Sequence, residues 1–254
     1  MRRAVLGIPH PTVYPLYVLL GRLAVMILPF KEIISCHLLS LLSVALASGV
    51  LFLSISSLLT DKKYRNIPAA AGALFISFAP VWWSQATANE VYGPALLGNL
   101  LTLHFLIRYY QTRNLKQLAL AAYLWGLAFG IHLSTLFLLP AIVYLIIATG
   151  CLKRLSKITG IQIVIQFFLA LSVYFYLPLR AIYKPFLNWS DPATAAGLFN
   201  HLSGWQYRVW MFKSFGQMMD GLKTGVELIF EQIGIIGLAI MALGIFRLLK
   251  KDFK

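Results

Sequence analysis

Seven apolar stretches set what this chain can become: 33–59, 67–83, 91–110, 118–132, 134–150, 159–178 and 225–249. A helix crossing a bilayer needs about 20 mostly apolar residues. Inside hydrocarbon the backbone must satisfy its own hydrogen bonds, which leaves helices or closed barrels. Runs this long are helical in period, so the expected class is all-α, a polytopic membrane bundle of about seven spans. Of the 254 residues 59% are hydrophobic and 12% charged, whereas a soluble domain carries about a quarter charged residues. That balance excludes a disordered chain, a disulfide scaffold and an ordinary water-soluble enzyme.

The formal net charge of +14 would suggest nucleic acid in a soluble protein. Here the basic residues sort by position. Lys62, Lys63 and Arg65 follow the first span, Arg108, Arg113 and Lys116 the third, and Lys153, Arg154 and Lys157 the fifth. Arg247, Lys250, Lys251 and Lys254 close the chain. The opposite connections, Ser84–Glu90 and Leu133, carry no Lys or Arg. Cytoplasmic loops collect Lys and Arg, so the basic side reads as cytoplasmic and no nucleic-acid partner is expected. The stretch 118–150 could be one helix; Gly130, His132 and Ser134 favour a tight helical pair, which keeps Lys153 on the basic side.

This topology gives one polytopic domain over 1–254, with an outer interfacial segment 1–32, a six-helix core 33–178, an extracytoplasmic loop 179–224 and a last helix 225–249. Cys36 and Cys151 fall at opposite faces, too far apart to bridge. No metal-ligand spacing, phosphate-binding glycine loop or Ser-His-Asp elbow is present.

Six of the eight acids, Glu32, Glu90, Asp191, Asp220, Glu227 and Glu231, lie on the outer side or in the last helix, and His10, His132 and His201 also face outward. Glu90 sits where the chain re-enters the apolar layer, a costly place for a carboxylate unless it is paired or used; an interfacial, solvated Glu is the equal alternative. His132 lies at a helix–helix tip, where a polar turn residue is the simpler reading. Arg180 could hold a lipid phosphate with its planar fork of donors, or anchor at the interface by snorkelling. Asn188-Trp189-Ser190-Asp191-Pro192 reads first as an Asx-type turn. Spacing alone assigns no reaction.

The ordered set of short motifs, however, resembles a known multi-pass family, domain of unknown function 2723, whose eukaryotic relatives are transmembrane protein O-mannosyltransferases. His10-Pro11-Thr12-Val13-Tyr14-Pro15-Leu16-Tyr17 is similar to its His-Pro-x-Gly-Tyr-Pro-Leu-Tyr segment, with Val13 in place of Gly. Trp83-Ser84-Gln85 with Glu90-Val91-Tyr92, Gly126 to His132, Leu138-Leu139-Pro140 and Tyr176 to Ala181 follow in order. Then come Asn188-Trp189 with Asp191-Pro192, His201, Ser203-Gly204 and Gln206-Tyr207-Arg208.

The resemblance implies a GT-C-like glycosyltransferase that moves a sugar from a polyprenyl-phosphate donor to a hydroxyl of an acceptor protein or glycan. It implies a bacterial inner-membrane protein with its site on the extracytoplasmic face. Glu90 and Asp191 are then the catalytic candidates. The substrate-binding candidates are His10, Tyr14, Gln85, Tyr92, His132, Arg180, Asn188, Trp189, His201, Gln206, Tyr207 and Arg208, with no metal and no certain cofactor. Family members carry an Asp-x-Gly-Glu segment upstream of the His-Pro motif, so the chain is expected to be a fragment of a longer protein. Two alternatives stay open: a non-catalytic permease or lipid-carrier binding protein, with Glu227 and Glu231 lining a polar cavity, and an inactive truncated member.

Overall fold

The computed structural model describes residues 6–11, 14–59, 63–210 and 214–252; the side chains of 208–210 and 248–252 lie outside the description. Val13, Lys62, Lys254 and the side chains of Arg208, Lys250 and Lys251 therefore fall beyond what can be placed.

The described residues form helices joined by short turns: α1 (Pro15–Ile27), α2 (Glu32–Leu58), α3 (Asn66–Ser77), α4 (Pro80–Thr87), α5 (Tyr92–Thr112), α6 (Leu115–Phe129), α7 (Leu139–Ala148), α8 (Cys151–Arg154), α9 (Lys157–Leu171), α10 (Tyr176–Ile182), α11 (Ala195–Leu202) and α12 (Phe215–Asp252). Tighter 3-10 turns, Leu133–Leu138 and Ser172–Phe175, lead into α7 and α10, and a third spans Trp205–Trp210. The only extended pairing among the described residues is a parallel bridge between Ile8 and Asn188.

Three helical segments are long and apolar enough to cross a bilayer: Glu32–Leu58, Lys157–Ile182 and Phe215–Arg247. A fourth results if α3 and α4 are one broken span. The remaining expected stretches are helical but shorter or broken, as expected for the pair within 118–150, and for visible reasons. The run 67–83 bends by 67° between α3 and α4, because Pro80 opens α4 without an N–H to extend the preceding helix. The run 118–150 divides into α6 and the Leu133–Ala148 segment, both shorter than a full crossing. Asn99, Thr102, His104 and Arg108 dilute the apolar content of α5.

Helices α2, α5, α6 and α9 pack side by side in that order, with α3 and α4 against α2. Small residues make the row tight. Ser35, Ser40, Ser43, Ser54 and Ser56 are buried on α2, and Ser43 and Ser54 return their hydroxyls to the carbonyls of Leu39 and Val50. Across from them stands Gly93 of α5, where a Cβ would lie 3.1 Å from the Ser40 carbonyl oxygen. Close backbone approach through small residues is how helices associate in apolar surroundings. Ser54 also meets His104 Nδ1 at 3.0 Å, giving the imidazole a partner within the row.

Helix α12 turns at Gly234, whose φ of 62° is left-handed and suits a residue without Cβ. It touches the rest where Gln232 Oε1 accepts from the Val81 N–H at 2.7 Å. Glu227 and Glu231 are exposed on it. Glu227 lies 3.9 Å from Lys223 in a solvated i,i+4 pair, a contact worth little.

Candidate active site

The chain before α1 is fixed from outside. Arg180 Nε donates to the Leu6 carbonyl at 2.7 Å, and the Tyr176 hydroxyl donates to the Gly7 carbonyl at 2.9 Å. The Ile8 N–H donates to Leu187 O, and the Trp189 N–H returns to Ile8 O. Ile8 is fully buried with Leu177 and Ala181 beneath it. A further bond, Leu16 N–H to Gly130 O at 2.8 Å, pins the start of α1 to the turn after α6.

These ties bring together rings far apart in sequence. Tyr14 stacks on His132, centroids 5.7 Å apart and planes 17° from parallel. Tyr92 closes on His132 from α5 at 5.1 Å. His10 lies edge-on to Tyr14 at 5.2 Å, to Tyr207 at 6.2 Å and to Trp189 at 6.3 Å. His10, Tyr14, Tyr92, His132, Trp189 and Tyr207 thus form one continuous group built from five separate segments.

The protonation chemistry of the two imidazoles differs. His132 Nδ1 accepts from the Ser134 N–H at 3.0 Å, which puts the proton of the neutral ring on Nε2. Burial, reinforced by nearby His10, holds His132 below its ordinary range, so it is neutral at neutral pH. His10 Nδ1 is 3.0 Å from both the Pro11 carbonyl and the Tyr207 hydroxyl. A protonated Nδ1 serves Pro11; a bare one accepts from Tyr207. The position of one proton decides which contact forms.

Beside Tyr92 opens a cavity of about 350 Å³ lined by Trp82, Gln85, Tyr92, Asn99 and Ser134 among others. Gln85 Oε1 is buried there without a hydrogen-bond partner, and its amide nitrogen reaches only the Ser84 hydroxyl, at 3.3 Å. Asn99 Oδ1 accepts from the Thr135 hydroxyl at 2.5 Å, which orients its amide. Aromatic faces flanked by amides and a hydroxyl suit a sugar ring, which offers apolar faces and polar edges. Trp82, Asn99 and Ser134 were absent from the sequence candidates. Asn99 lies seven residues beyond Tyr92, on the same helix face, and that spacing is the signal that could have found it.

The remaining candidates are placed as follows. Glu90 is exposed in the turn before α5, two residues from Tyr92, and its carbonyl accepts from the Ser40 hydroxyl at 3.2 Å. Its neighbour Asn89 receives the Tyr17 hydroxyl at 3.3 Å. Asp191 Oδ1 accepts from Asn188 Nδ2 at 2.9 Å within a turn in which Ser190 and Asp191 both have left-handed backbone. Asn188 Oδ1 is buried and unpartnered. Trp189 Nε1 donates to Gln206 Oε1 at 3.1 Å. Arg180 spends its Nε on Leu6, so a phosphate would meet only its terminal nitrogens.

His201 is fully buried, and neither ring nitrogen makes a hydrogen bond. Burial is the main cause that holds it below the ordinary imidazole range; the nearby Trp189 backbone opposes, and His10 adds to the lowering. Among the described residues no three His, Cys, Asp or Glu side chains gather in a way that could hold a metal ion.

Protein O-mannosyl-transferase TMEM260 of Mus musculus is 26% identical over 212 residues, covering 80% of this chain and 29% of the relative. The chain therefore spans under a third of that relative's length. No solved structure matches. Residues 1–155, more than half of the chain, match the family described as the Protein O-mannosyl-transferase TMEM260 N-terminal domain, and the chain belongs to that family.

Proposed function

We propose that the chain carries the sugar-transfer site of a membrane glycosyltransferase, with a polyprenyl-phosphate sugar as donor and a hydroxyl of a protein or glycan as acceptor. The observation that carries this reading is the convergence of His10, Tyr14, Tyr92, His132, Trp189 and Tyr207 beside a cavity holding the unpartnered Gln85 oxygen. In this reading the membrane is the bacterial cytoplasmic membrane, and the site faces away from the cytosol, opposite the basic loops.

The sugar ring sits against Trp82 and Tyr92, with Gln85 and Asn99 on its hydroxyls. Glu90 takes the proton of the acceptor hydroxyl, which requires hydrogen-bond reach between them. The acceptor oxygen bonds to the anomeric carbon as the bond from that carbon to the phosphate oxygen breaks. The electron pair of that bond leaves with the polyprenyl phosphate. Arg180, through its terminal nitrogens, balances the charge on the departing phosphate. Neutral His132 donates from Nε2 without adding a competing charge. Asp191 is held by Asn188 and acts on the shape of the loop.

The test is release of polyprenyl phosphate from its radiolabelled mannosyl ester in proteoliposomes holding the chain and a Ser/Thr-rich peptide. Native chain should release it, and Glu90→Gln should lower the rate at least a hundredfold with insertion and donor binding intact. Equal rates for both proteins remove Glu90 from the chemistry. Donor bound by native chain but never cleaved makes it a carrier-binding protein.

A further inference from the structure

A second constellation starts at the other end of α5, about 30 Å from Tyr92 by the rise of a 21-residue helix, and its cavity reaches back along α6 to Trp125, whose indole donates to the Thr135 carbonyl. There α5 to α9 enclose an apolar cavity of about 490 Å³, lined by Leu106, Leu118, Trp125, Ile146, Cys151 and Phe168 among others. Tyr109 closes the packing beside it, its hydroxyl 3.5 Å from the Thr149 hydroxyl. Leu152 stands at the rim, 73% exposed.

Cations cluster on the helix ends at this side. Lys153 and Arg154 form the last turn of α8, Lys157 opens α9 and Lys116 lies in the first turn of α6. Arg113 ends α5 in left-handed backbone, φ 56°, with its guanidinium 5.0 Å over the Tyr110 ring. One of its terminal nitrogens, Nη1, is buried with no hydrogen-bond partner. The connections 108–116 and 151–158 contain no acid at all.

From this geometry we infer that this end of the bundle binds an acidic glycerophospholipid, with one acyl chain in the cavity and the phosphate among Arg113, Lys153 and Arg154. An apolar cavity alone accepts any lipid tail. A rim of cations without acids selects an anionic headgroup, since basic clusters beside a membrane surface draw acidic lipids. Arg113 Nη1, buried and unpartnered beside Tyr110, has a hydrogen bond left to give to a phosphate oxygen that reaches it. The distance from His132 separates this phosphate from any at the sugar site, so the lipid here is structural and does not rest on the transfer reading.

Trp125 lines the cavity, so bromine on an acyl chain seated there quenches its fluorescence. The chain in neutral detergent is titrated with phosphatidylglycerol or phosphatidylcholine brominated along the chain. Native protein should bind the acidic lipid at least fivefold more tightly at low salt, and the quenched component should vanish in Trp125→Phe. Gly160→Phe fills the cavity from a position with nothing within 4 Å of its Cβ, and should abolish quenching with Trp125 in place. Joint replacement of Lys153, Arg154 and Lys157 by Ala should make the two lipids equal. Equal binding of both lipids to native chain, or quenching unchanged in Gly160→Phe, overturns the inference. Displacement of the brominated lipid by polyprenyl phosphate at the potency of phosphatidylglycerol overturns it too, in favour of the sugar carrier.

Discussion

The ring of Tyr14 lies nearly parallel to the imidazole of His132, 5.7 Å between centroids, although the two come from the first turn of the chain and from the break between α6 and α7. The stack is how the N-terminal segment sets the orientation of the half-buried imidazole. Tyr14→Ala removes it, a loss of about 0.5–1.5 kcal/mol beyond the area buried. Tyr14→Phe keeps the ring. In the transfer assay Tyr14→Ala should fall roughly tenfold or more, with Tyr14→Phe closer to native. Equal loss in both would place the effect in the hydroxyl instead of the stack.

A pH dependence follows from His132 and His201. Both imidazoles are held below their ordinary value of 6.5 by burial. Well above pH 6.5 neither folded nor unfolded chain protonates them, and this contribution to stability is complete. As pH falls below that value the unfolded chain takes up protons that the folded one refuses, so stability declines until the folded values are passed. Thermal unfolding in detergent should show a lower midpoint at pH 5.5 than at pH 7.5. His201→Phe, which removes two buried unpartnered nitrogens, should flatten that slope.

Arg180 and Tyr176 hold adjacent carbonyls of one extended segment, Leu6 and Gly7. Buried hydrogen bonds of this kind are worth about 0.5–1.5 kcal/mol each, more where the donor is charged. Arg180→Ala should loosen the segment before α1 and speed its cleavage by a nonspecific protease several-fold, with Tyr176→Phe weaker in the same direction. Because both act on one segment, the double variant should fall short of the summed effects. If Arg180 serves a phosphate alone, the protease pattern will match that of native chain.

The motifs that build the site stand in order along the sequence, and their grouping follows from which helix ends they occupy. His132 was visible because a Gly-rich break interrupts an apolar run; Glu90 and Tyr92 because a polar turn precedes one. The burial of His201 was not visible, since no spacing in the sequence announces that its ring is enclosed with the Trp189 backbone and His10 near enough to act on it. The cavity was hidden for a related reason. Trp82 and Ser134 read as interface and turn residues until the 67° bend at Pro80 turns α4 toward α5. The bend itself had a signal in Phe78-Ala79-Pro80, outweighed in a hydropathy reading by the apolar residues on either side.

The tightest helix contact gives the last prediction. At Gly126 of α6 a Cβ would stand 2.6 Å from the Phe167 carbonyl oxygen and 2.7 Å from the Ala170 Cβ, both on α9. Neither neighbour is the far end of a flexible side chain, so α6 and α9 must separate to admit a methyl group. Overpacking of this kind costs about 1–3 kcal/mol. Gly49, in the middle of α2, has nothing within 4 Å of a built Cβ. There Ala should gain up to about 1 kcal/mol from helix propensity. For a chain of this size each kcal/mol moves the unfolding midpoint by about 2–4 °C. Gly126→Ala should lower the midpoint in detergent by several degrees while Gly49→Ala leaves it level or higher, and equal midpoints for the two variants would show that α6 and α9 do not meet backbone to backbone.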